Sequence, residues 1–160
     1  MRYYMKGVLG NIKNMRMDNS MMLTVEIAES WMKNSDSIDL NQFTQLTESA
    51  ALMLSEAEKS TWLELNRPIN LSYSVAELLC QYQKSWLQLN GLSDLSDAVA
   101  RQLARHGGCG LGLCGLITLS RTVAGSLSQF DGALFLDGVS SLLDEVAEII
   151  SLHKGNLFLN

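Results

Sequence analysis

The feature that most constrains this chain is an internal repeat. The segment Leu87-Gln88-Leu89-Asn90-Gly91-Leu92 returns as Leu111-Gly112-Leu113-Cys114-Gly115-Leu116 and again as Leu134-Phe135-Leu136-Asp137-Gly138-Val139. Extended in both directions, the register places repeat starts at Met15, Ile38, Leu63, Leu87, Leu111 and Leu134, and a seventh start at Leu157. Successive spacings are 23, 25, 24, 24, 23 and 23 residues. One unit of that length cannot bury its own apolar face, so units at this period must stack on one another.

Two columns of the repeat do not vary. Eight residues after each start stands leucine: Leu23, Leu46, Leu71, Leu95, Leu119 and Leu142. Thirteen after each start stands alanine: Ala28, Ala51, Ala76, Ala100, Ala124 and Ala147. Each repeat opens on apolar–polar alternation, as in Leu87-Gln88-Leu89-Asn90, the pattern of a short half-buried strand. The spacing then turns helical, with Val99, Ala100 and Leu103 on one face. The residue ahead of each helix is Thr24, Thr47, Ser72, Ser96, Ser120 and then Leu143, so five of six positions offer a hydroxyl cap. Gly108, Gly132 and Gly155 stand where the helices are expected to end, which suits left-handed glycine stops. The alanine column implies a helix too close behind its strand to admit a larger side chain. The expected fold is therefore α/β: a right-handed solenoid or horseshoe, with seven short parallel strands on the concave side and helices on the convex side.

The run Leu87-x-Leu89-x-x-Leu92-x-x-Leu95-Ser96-Asp97, followed by Ala100, Leu103 and Ala104, resembles the cysteine-containing subfamily of leucine-rich repeats, and its wording is similar to bacterial arrays. The resemblance spans about residues 15 to 160. It departs at the cysteine slot, which holds Ser20, Phe43, Pro68, Leu92, Leu116 and Val139. It implies the repeat fold and an interaction role, and no catalytic residue. On this frame residues 1–14 are an N-terminal partial repeat or cap, 15–156 hold six repeats, and 157–160 begin an incomplete seventh.

Composition narrows the function. A chain of 160 residues, 47% hydrophobic and 18% charged, is long and apolar enough for one domain with a real core. A net charge of -5 argues against a nucleic-acid surface, which needs clustered Lys and Arg. Met1 to Gly10 lack the apolar core of a signal peptide, and no run reaches the roughly 18 apolar residues of a membrane span. Cys80, Cys109 and Cys114 form no disulfide framework. These readings point to a reduced, cytoplasmic, soluble protein.

The candidate site is the outward face of the strands. Trp62 and Trp86 share a column in neighbouring repeats, Phe135 and Phe158 share another, and Glu64 and Gln88 lie on the rung between core leucines. Gly110 and Gly112 read as a bare floor between the two aromatic pairs. These six side chains form a candidate partner-binding surface, although the tryptophans also have a structural explanation in covering strand edges. The Asp/Asn column of Asp18, Asn41, Asn66, Asn90, Asp137 and Asn160, interrupted by Cys114, reads either as a ligand ladder or as side chains that bond neighbouring backbone.

His106, Cys109 and Cys114 lack the fourth ligand and the paired spacing of a zinc site, and His106 and His153 share a helix-end column where a cation suits the dipole. The glycine-rich run Gly107 to Gly112 precedes a strand and carries no lysine, unlike a phosphate loop. The expected function is a non-catalytic scaffold, without cofactor or metal, that binds another protein. The alternative is a segment of a larger array, or a homo-oligomer joined through the terminal strand at Phe158.

Overall fold

The computed structural model describes residues 21–57, 62–67, 71–82 and 86–160. Expectations for residues 1–20, including the N-terminal cap, the strand at Met15 and the slot at Ser20, lie outside these residues, as does Pro68. The architecture is mixed α/β. Strands β3 (Leu63–Glu64), β4 (Trp86–Gln88), β5 (Gly110–Gly112), β6 (Ala133–Phe135) and β7 (Leu157–Phe158) form a five-stranded parallel sheet in chain order. Register partners are the equivalent leucines of successive repeats: Leu63 with Leu87, Leu87 with Leu111, Leu111 with Leu134, and Leu134 with Leu157.

A helix follows each of the strands β3 to β6. The described α-helices are α1 (Val25–Lys33), α2 (Glu48–Ser55), α3 (Tyr73–Leu79), α4 (Asp97–Leu103), α5 (Arg121–Leu127) and α6 (Asp144–Ile150), each packed on the next in sequence. The two strand columns, Leu63, Leu87, Leu111, Leu134 and Leu65, Leu89, Leu113, Leu136, join the helix apolar positions in one core. The column at which the resemblance departs is filled by buried apolar groups at Phe43, Leu92, Leu116 and Val139.

One expected strand is absent. Ile38 and Leu40 are buried as expected, but the chain there is not a strand. The Asp39 carboxylate accepts the Asn41 N–H at 2.9 Å and folds Leu40–Gln42 into a 3-10 turn. The pairing in this part of the chain falls instead on the invariant leucine column, where β1 (Met22–Leu23) pairs in parallel with β2 (Gln45–Leu46). The expected seven-stranded sheet is therefore corrected to five strands and a separate pair among the described residues.

The caps follow the sequence in four places. Thr47, Ser72, Ser96 and Ser120 accept N–H bonds from Ala50, Val75, Val99 and Val123 at 3.1 to 3.4 Å. Thr24 instead turns its hydroxyl to Glu26, at 2.6 Å. Leu143 caps nothing, and Asp144 and Glu145 supply negative charge to the first turn of α6. First turns of neighbouring helices are also tied together by Ser74 on Glu48, Thr122 on Asp97 and Arg121 on Glu145.

The alanine column is buried without remainder at Ala28, Ala51, Ala76, Ala100 and Ala124. Ala147 is half-buried, because α6 is covered by a described helix on one side only.

The glycines behave differently from the expectation. The helices α4, α5 and α6 end on Ala104, Ser128 and Ser151 in right-handed conformation, and no described glycine has positive φ. Gly132 and Gly155 serve close approach instead: a Cβ would meet Cys109 O at 2.7 Å and Gly132 O at 2.1 Å. A second glycine column acts the same way in the turns after the strands, where a Cβ on Gly138 would lie 1.9 Å from Cys114 O.

These contacts predict opposite signs for two identical substitutions. Gly138→Ala must push two turns apart and is expected to cost about 1–3 kcal/mol. Gly125→Ala, inside α5 with only the Ile149 side chain at 3.8 Å, is expected to stabilise by about 0.5–1 kcal/mol. Urea denaturation of the two variants measures both.

Candidate functional site

Alternation along each strand sends every second side chain away from the core. Trp62 stands just ahead of β3 and Trp86 opens β4, and their rings lie 5.5 Å apart at 32°. Phe135 and Phe158 are register partners in β6 and β7 and stack at 4.2 Å and 6°. Both sequence-predicted pairs therefore come together.

They also meet each other. Trp86 reaches across β5 to Phe135, with centroids 5.3 Å apart at 55°. The reach is possible because β5 carries glycine on its outward positions: a Cβ on Gly110 would sit 2.3 Å from Trp86 Cε3. The expected bare floor is corrected accordingly, since Gly110 and Gly112 are both buried, Gly110 beneath the Trp86 indole. The four aromatics form one row across β3 to β7. The signal was present in the sequence as glycines between aromatics on neighbouring rungs, but only the diagonal offset of the rungs reveals it.

Trp62, Trp86 and Phe135 line a depression of about 180 Å³ together with Gln88, Asn90 and Gly112, and Cys114 beside them. Glu64 pairs in register with Gln88 one strand away. Glu64 also borders a neighbouring depression of about 360 Å³ with Trp62, Asp36 and Asp39. At the ends of the row Trp62 is 54% exposed and Phe158 41%, so these rings present large apolar surface to solvent.

The Asp/Asn column is a backbone ladder. Asn41 Oδ1 accepts from Asn66 N–H at 2.8 Å, Asn66 Oδ1 from Asn90 N–H at 3.3 Å, and Asn90 Oδ1 from Cys114 N–H at 3.0 Å. Cys114 cannot continue it as an acceptor of the same kind; its thiol approaches Asp137 Oδ2 at 3.5 Å, and burial raises its pKa. The ladder fixes the turns that carry Gln88 and Asn90 into the site.

The helix-end histidines do not lie at the surface. His106 is buried beside Phe130, with centroids 6.0 Å apart, and Phe130 lies 6.2 Å from His153. Tyr82, His106, Phe130 and His153 all stand nineteen residues after a repeat start, a ring column that the sequence reading recognised only at its two histidines. Burial lowers the His106 pKa to about 4 against the opposing effect of the Cys80 backbone, so the expected helix-dipole cation is corrected to a neutral core ring. His153 Nε2–H donates to Gly132 O at 2.9 Å. Cys80 is buried too, its thiol donating to Gln102 O at 2.8 Å, and burial pushes its pKa up to about 12. Among the described residues no three His, Cys, Asp or Glu side chains converge as metal ligands. No helix among them is long and apolar enough to cross a membrane.

No family model, curated protein or solved structure matches this chain.

The His106 environment sets a pH dependence. The folded pKa lies below the unfolded value of 6.5, so the unfolded chain takes up the proton first as pH falls. Stability is expected to drop by about 3 kcal/mol between pH 6.5 and 4 from this residue. His106→Phe, which continues the ring column, should remove that share of the slope in denaturant melts at stepped pH. An unchanged slope would contradict the assignment.

Proposed function

We propose that this chain is a leucine-rich-repeat solenoid, sheet on the concave side and helices on the convex side, that binds another protein on its outward strand face. The observation that carries the reading is the continuous aromatic row from Trp62 to Phe158, exposed at both ends on a sheet whose other face is core. Clustered aromatics with polar neighbours are the composition of binding hot spots. Support for the fold comes from equivalent leucines in register and from turns held one repeat to the next by asparagine. The role is non-catalytic: of the ionisable candidates, His106 is a core ring and Cys114 stands on the strand column beside Asp137. The three unpaired thiols suit a reducing compartment such as the cytoplasm.

The double substitution Trp62→Ala with Trp86→Ala is expected to abolish capture of the partner from extract of the source cell, while circular dichroism stays that of the folded chain. Retention of every captured protein by the double variant would sink the reading.

A second reading has its own observation. Strand β7 pairs with β6 alone among the described strands, Phe158 and Leu159 are exposed on it and just after it, and Leu143 and Leu152 are exposed at the two ends of α6, the last described helix. An open parallel edge with apolar surface is a template for a second copy or for a further repeat. In the self-association form, sedimentation velocity should show oligomers that grow with concentration and vanish in Phe158→Ser. A monomer throughout a wide concentration range would count against that form.

A further inference from the structure

The depression in the aromatic row has a chemistry that selects among partners. Three ring systems line it, and ring faces carry the negative lobe of the aromatic quadrupole. Its remaining side-chain lining is amide and thiol, with Asn90 Nδ2 already donating to Gln88 Oε1 at 3.3 Å. Carboxylates flank it on both sides. Glu64 is the register partner of Gln88, and Asp36 and Asp39 lie with Glu64 in the neighbouring depression that shares Trp62. Asp137 stands on the other side, against the Cys114 thiol. Among the described residues neither depression is lined by a Lys or Arg; Arg67 is exposed in the turn after β3.

We infer that the aromatic depression receives an arginine side chain of the protein partner, the guanidinium lying on the Trp86 and Trp62 faces and directed toward Glu64. This rests on the protein-binding reading above and names the partner's chemistry. The site has room for one long side chain, at a volume of about 180 Å³. An arginine matches both parts of it: the aliphatic stem covers apolar ring surface, and the planar, weakly hydrated head stacks on indole while keeping hydrogen-bond donors for a carboxylate. A lysine offers a compact, strongly hydrated charge and gains less from a flat ring. An acidic segment would face carboxylates on both flanks.

The test uses the full chain labelled with nitrogen-15, read at the tryptophan indole N–H resonances. The probes are capped peptides alternating glycine with arginine, lysine, leucine or glutamate. The arginine peptide should shift Trp62 and Trp86 saturably, and both more than Trp31, which is buried but borders the neighbouring depression. Its affinity should fall about fivefold in Glu64→Gln, and more than about tenfold in Trp62→Leu or Trp86→Leu. Added salt should weaken it. If the leucine peptide binds as tightly and Glu64→Gln changes nothing, the arginine assignment is overturned while the face remains a protein-binding surface. If no peptide moves either indole, or the glutamate peptide binds best, the assignment is likewise overturned. The protein-binding reading is then judged by its own capture experiment, which needs no assumption about charge.

Discussion

Stacked units can approach only as closely as the side chains between them allow, and the alanine thirteen residues after each start is small enough to leave each helix packed against the next. Five of these alanines have no exposed surface at all. With the units stacked at one period, the leucines of one unit meet those of the next, and equivalent residues become register partners. The glycines carry the constraint into the turns. Where one turn crosses the previous one, a carbonyl oxygen occupies the space a methyl group would need, at Gly138 as at Gly115 and Gly91. Backbone contact therefore repeats with the same period as side-chain packing. The asparagine ladder satisfies N–H groups that this close crossing would otherwise strand.

A frame this strict leaves its freedom on the outward strand positions. Glu64, Gln88, Gly112, Phe135 and Phe158 occupy one rung, yet share neither size nor polarity. Variation at positions that the core does not dictate is what allows an irregular surface to sit on a regular interior. The aromatic row uses it, combining two columns and running obliquely across the sheet. The ring column of Tyr82, His106, Phe130 and His153 is the internal counterpart, where His106 can stand in for a phenylalanine because burial holds it neutral.

Most of the architecture was legible because periodicity reports burial directly. Residues such as Leu87, Leu89, Ala100 and Leu103 announce a strand and a helix by spacing alone, and all four are buried. The frame was less informative where a local bond competes with it. Asp39 draws its own chain into a turn at a position whose apolar pattern matches the other strands, so Ile38 and Leu40 keep their burial and lose the ladder. Glycine was ambiguous for a similar reason, since a left-handed stop and a close crossing require the same residue. In the site, the members were readable from their columns, but their connection was not. Contact between Trp86 and Phe135 depends on ring reach over an intervening strand, a distance no spacing rule contains.

That contact makes Gly110 the least conspicuous determinant of the surface. It has no side chain to offer a visitor and is hidden under an indole, yet any larger residue there would tilt the ring upward and split a single hydrophobic stripe into two islands. The breadth of the stripe is thus governed by an atom that is missing. A survey of this surface confined to solvent-visible residues would overlook the position on which its continuity turns.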